Sequence, residues 1–66
     1  MYTSRLKEMR EKKNLSQSQL AEKSGVTLRV IQAYEQGYKD INKGQVVTVL
    51  ALADALDCNI REILNK

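Results

Sequence analysis

Apolar positions recur at helical spacing along most of the chain, and no stretch alternates strictly between apolar and polar as a half-buried strand would. Tyr2, Leu6, Met9 and Lys13 fall on one face, with Arg5, Lys7, Glu8, Glu11 and Lys12 around it, which predicts an amphipathic helix over about 3–13. Ser16 followed by Gln19 reads as a capping box. It opens a short helix over 17–24 with Leu20 and Ala21 inward, and Gly25 ends it. Thr27 is the next cap, and a third helix runs from Leu28 to Gln36 and stops at Gly37, with Ile31, Tyr34 and Glu35 inward. Asn42 with Gln45 predicts a longer helix over 43–56, and Asn59 with Glu62 predicts a final turn or two. The expectation is an all-α fold of five helices, forming one domain over residues 1–66.

Composition narrows the chemistry more than the fold. The 66 residues include no His and one Cys, which excludes a disulfide framework, a Cys/His zinc site and the common nucleophile–His pairs. Phe and Trp are absent, so the core must be aliphatic with some Tyr. Asp54 with Asp57, and Glu8 with Glu11, have no third ligand nearby and read as solvated carboxylates. We expect no enzyme, no cofactor, no metal and no small-molecule effector. No apolar run approaches the roughly 20 residues of a membrane span, and Met1–Lys13 is charged throughout. With Cys58 reduced, these features suggest a cytoplasmic, nucleoid-associated protein. Net charge is +3, and it is uneven: residues 1–43 carry nine bases and five acids, residues 44–66 two bases and three acids. Basic charge on one part of a small domain fits an anionic polymer.

The stretch QSQLAEKSGVTLRVIQAYEQ concentrates the functional signal. Two short helices meet at a tight turn, Ala21 is small enough for them to cross closely, Val26 plugs the turn, and Ile31 and Tyr34 anchor the second helix. These are the requirements of a helix-turn-helix. Its outer face would carry Thr27, Leu28, Arg29, Gln32 and Ala33, on a helix that fits the major groove of B-DNA, about 12 Å wide.

LSQSQLAEKSGVTLRVIQAYEQG resembles the Cro/phage-repressor (XRE-type) helix-turn-helix domains, with further likeness in the first helix at Arg10 and in VLALADALDCNIREIL. The resemblance implies a compact, lambda-repressor-like domain that binds double-stranded DNA, commonly as a homodimer on a palindromic operator, and regulates transcription. It assigns base reading to Leu28, Arg29, Gln32 and Ala33. Phosphate contacts would fall to Gln17 and Thr27, and to Gln36, Lys39 and Lys43 around the following loop. Arg10 and Glu35 match a family ion pair. Spacing agrees, since Arg10 follows Leu6 by four and Glu35 follows Ile31 by four, placing both charges on apolar stripes where each needs a partner. Two departures stand out. Asp57 occupies a position where many relatives have Gly, and Gly44 would sit in the first turn of the fourth helix.

That fourth helix is apolar nearly all round: between Val46 and Leu56 only Thr48 and Asp54 are polar. Val49, Leu52, Ala53 and Leu56 suffice for a small core. Val46, Val47, Leu50 and Ala51, with Ile60, Ile63 and Leu64, are therefore expected at a dimer interface. The leading expectation is a sequence-specific transcriptional regulator, as a repressor. The alternative is an antitoxin-like or antirepressor module that binds another protein through the fourth helix, and a nonspecific nucleic-acid binder comes third.

Overall fold

Four α-helices and two 3-10 turns make up the computed structural model, which describes residues 4–64. Helix α1 spans Leu6–Lys12, α2 Gln17–Ser24, α3 Leu28–Gln36 and α4 Val46–Ala55; the 3-10 turns are Ile41–Lys43 and Ile60–Glu62. The class is all-α as expected, but the fifth helix is a single 3-10 turn. Tyr2 and Thr3, assigned to the first helix from the sequence, lie outside the described residues, and α1 begins only at Leu6.

Local chemistry sets the ends of α2 and α3. The Ser16 hydroxyl accepts from the Gln19 N–H at 3.0 Å while the Ser16 N–H donates to the Gln19 side chain at 2.8 Å. Gly25 then takes the left-handed conformation (φ 76°) that closes α2. Thr27 caps α3 by accepting from the Val30 N–H at 3.4 Å. At the other end the Tyr38 N–H reaches back to the Ala33 carbonyl at 2.9 Å over a left-handed Gly37 (φ 85°). This arrangement satisfies carbonyls that the helix itself leaves unpaired.

The approach to α4 differs from the expectation. Asn42 lies inside a 3-10 turn rather than at the start of α4, whose N-cap is Gln45 with no side-chain cap hydrogen bond. Instead the Asp40 side chain accepts from the Asn42 N–H at 3.0 Å and opens the 3-10 turn, which drops Ile41 into the core. Gly44 is extended (φ −69°, ψ 161°) and lies before the helix rather than inside it. The Tyr34 hydroxyl presses against the place a Gly44 Cβ would occupy, with Val49 Cγ2 at 3.1 Å and the Ile41 carbonyl at 3.2 Å beside it. Glycine is needed here for close approach, and its helix-breaking cost does not arise. At the far end Asp57 holds the left-handed position (φ 52°), and the Cys58 N–H closes the motif on the Ala53 carbonyl at 3.0 Å. Asp is among the few residues besides Gly that tolerate this conformation, which accounts for its presence there. The Asn59–Glu62 box does form: the Asn59 N–H donates to Glu62 Oε2 at 2.8 Å, and Asn59 Oδ1 also accepts from the Arg61 N–H at 3.1 Å.

The core is aliphatic apart from Tyr34: Leu6, Leu20, Ile31, Ile41, Val49, Leu52, Ala53, Ala55, Leu56 and Ile63 are buried. Each large side chain fully withdrawn from water contributes about 1.5–3 kcal/mol. Helix α2 packs on both α3 and α4, α1 packs on α3, and the last 3-10 turn packs on α4. Arg5 joins the chain's ends by donating from Nη2 to the Arg61 carbonyl at 2.9 Å.

Candidate nucleic-acid interface

Val26, Ile31 and Tyr34 fix one side of α3 to the core, so its other side must face out. Thr27, Leu28, Arg29 and Gln36 are exposed, and Gln32 and Ala33 are half-buried at the edge of the same face. Leu28 is 37% exposed, a large apolar side chain left in water. Arg29 has no hydrogen bond or ion pair to any described residue, so its five donors are available to a ligand. Lys39 and Lys43 are exposed and line an open groove with Tyr38, Gly44, Gln45 and Thr48, beside the start of α4. The exposed face of α3 and the exposed lysines of the segment after it carry the positions that the family resemblance assigns to DNA, Gln17 apart.

Beneath that face runs a polar network. Arg10 donates from Nε to Glu35 Oε2 at 2.8 Å and from Nη2 to Glu35 Oε1 at 3.1 Å, and its Nη1 donates to the Leu15 carbonyl at 2.7 Å. The two side chains are 11% and 3% exposed. The hydrogen bond to Glu35 holds the Arg10 guanidinium pKa above its usual value, although burial opposes it. Gln17 joins the pair by donating from Nε2 to Glu35 Oε1 at 3.0 Å, while its Oε1 accepts from Gln32 Nε2 at 3.5 Å. Gln17 is thus tied inward as well as standing at the start of α2, with one Nε2 hydrogen left for an anion. Gln17 and Gln32 are 15 residues apart on different helices, so no periodicity in the sequence joins them. The one available clue was Glu35, a carboxylate on a buried stripe whose oxygens need donors.

The surface assigned to dimerisation divides. Val46, Val47 and Leu50 are 67%, 79% and 44% exposed. Ala51 is half-buried, and with Val47 it flanks the Ser24–Thr27 turn. Ile60 and Leu64 are half-buried and pack against the core. Ile63 is a correction: it is 0% exposed, because the last 3-10 turn folds it onto α4, and it belongs to the core. Cys58 is half-buried, and burial raises its thiol pKa, followed by the effect of Glu62, which leaves it a poor nucleophile. Among the described residues no group of His, Cys, Asp and Glu could hold a metal, and no helix is long and apolar enough to cross a membrane.

Residues 6–63 match the helix-turn-helix family model. Among solved structures the chain is similar to the restriction-modification controller protein C.AhdI from Aeromonas hydrophila. The two are 40% identical with a TM-score of 0.77, over 88% of this chain and 83% of that one. No curated protein matches the chain.

Proposed function

The chain belongs to the XRE-type helix-turn-helix family of DNA-binding transcriptional regulators, and from that premise we propose that it is a repressor that reads the major groove with α3. The observation that carries this reading is the two-sidedness of α3. One side is locked by Ile31, Tyr34 and the Arg10–Glu35 pair, and the other presents Leu28 and an Arg29 with no hydrogen bond or ion pair among the described residues. Arg29 reads guanine, the partner its planar fork fits best, and Leu28 covers a thymine methyl beside Ala33. Gln17, Thr27, Gln36, Lys39 and Lys43 hold the phosphates on either side, with the start of α2 favouring an anion through its free N–H groups.

One such helix reads only a few base pairs, too few to select a site against the excess of competing sequence in a genome. The protein therefore acts as a homodimer on a palindromic operator, with one domain over 1–66 per half-site. The partner surface is Val46, Val47 and Leu50. Their exposure also suits the alternative of a protein-interaction module, but the exposed bases Arg29, Lys39 and Lys43 on and after α3 favour DNA. The likeness to C.AhdI supports control of restriction-modification genes as the setting.

Selection from random duplex DNA tests the proposal, and a symmetric site is the expected outcome. On that site Arg29→Ala should cost about 1–3 kcal/mol and relax selectivity at one base pair. A uniform loss on all sequences would move Arg29 to a phosphate role, and binding with a steep salt slope but no preferred site would leave only nonspecific association.

A further inference from the structure

Two glutamines from different helices of the motif meet beside one buried carboxylate, and their donors and acceptors are not interchangeable there. We infer, on the reading of α3 as the groove-facing helix, that Glu35 sets through Gln17 which way the Gln32 amide points, and so makes Gln32 a reader of adenine. An ionised carboxylate only accepts hydrogen bonds. Glu35 is held beside the Arg10 guanidinium, and its Oε1 takes the Gln17 contact at 3.0 Å. If the Gln17 amide were turned over, its oxygen would face Oε1 at that distance with no hydrogen between them. Nε2 of Gln17 is thereby assigned to Glu35, and Oε1 is turned toward Gln32.

Gln32 must answer with a donor, and its Nε2 lies 3.5 Å from that oxygen. The contact is long and adds little strength, but it transmits polarity. Gln32 is left with one Nε2 hydrogen and an unused Oε1 for the groove. One donor beside one acceptor is the complement of adenine, which offers N7 as acceptor and N6–H2 as donor. Guanine offers two acceptors at the same edge, so the Gln32 oxygen would face O6 unpaired. Gln17 is thus a positioning residue for specificity, in addition to any phosphate it holds.

The experiment is selection from duplexes randomised across the operator, performed with the full chain and with variants whose melting is checked first. The parent should prefer adenine at one base pair by on the order of 10- to 100-fold, and Gln32→Ala should remove that preference. Gln17→Lys places only donors between Glu35 and Gln32. It should turn the Gln32 amide over and exchange adenine for guanine at the same base pair. Gln17→Met, which keeps the length without polarity, should blur adenine and guanine without exchanging them, and it covers the case in which the lysine variant does not fold. If both folded Gln17 variants kept the parent's adenine preference, or if Gln32→Ala changed no position while Arg29→Ala did, the relay would be overturned with α3 still the reader. If neither Gln32→Ala nor Arg29→Ala altered any position, α3 would not be the reading helix and both ideas would fall.

Discussion

Helices α3 and α4 are nearly equal in length, nine and ten residues, and both bury an apolar side, but α3 adds directional bonds that α4 lacks. Helix α3 starts at a threonine cap, ends over a glycine and is braced from behind by Arg10, Glu35 and Gln17. Helix α4 starts at Gln45 with no side-chain cap and ends over a left-handed aspartate, and it is fixed by burying Val49, Leu52, Ala53 and Ala55. Directional bonds orient α3 about its axis, as the proposed reading of base edges by this helix would require. Apolar burial is nondirectional. It secures α4 well enough for a core element and leaves Val46, Val47 and Leu50 in water, where a partner surface can cover them.

The largest expected effect strikes the brace of α3. Arg10→Ala or Glu35→Ala strands a charge, which typically costs about 3–5 kcal/mol. Small domains sit near the low end of native stability, about 5 kcal/mol, so either variant should be largely unfolded at 37 °C by circular dichroism. The pair Arg10→Met with Glu35→Leu should be milder than either single change, since no charge is left behind. Single variants melting within a few degrees of the parent would mean that the brace contributes little.

Next comes the junction between the two helices. Gly44→Ala drives a methyl group into the Tyr34 hydroxyl and tightens the contact with Val49. Overpacking of this kind costs about 1–3 kcal/mol. Tyr34→Phe in the same background should recover part of the loss in urea melts, because it removes the atom that clashes; no recovery would place the strain elsewhere. Asp57→Gly tests whether the end of α4 is as well made as that of α3. It relieves the left-handed backbone and removes negative charge from a helix C-terminus, so stability should rise by up to about 1 kcal/mol. A fall would show that the Asp57 side chain is needed.

The smallest effect on folding is expected from Leu50→Glu, within about 0.5 kcal/mol, because the position is already open to water. Its effect should instead appear in binding, with cooperative occupancy of a full palindrome lost and half-site affinity nearly unchanged. Ultracentrifugation of the protein–DNA complex decides this, and a Leu50→Glu variant that still pairs on the operator would move the interface elsewhere.

Most places where one side chain bonds to backbone a few residues away were legible in the sequence; the Asp40 cap on Asn42 was not. The Ser16–Gln19 and Asn59–Glu62 boxes, the Thr27 cap and the stops at Gly25 and Gly37 all fall where local spacing puts them. The outward residues of α3 follow from the same 3.6-residue period. What the sequence could not settle depended on distant partners. Asn42 and Gln45 had the spacing of a capping box, yet burial of Ile41 drew the segment into a separate turn. Gly44 looked like a weak point in a helix, and only the Tyr34 hydroxyl, packed against it from α3, shows why no side chain fits. Ile63 looked available to a partner because its apolar spacing resembles that of an interface residue; the core claimed it when the last turn closed onto α4. Gln17 could be placed at a helix start from its neighbours alone. Its link between Glu35 and Gln32 exists because two helices cross at Gly25, and that crossing belongs to the tertiary structure.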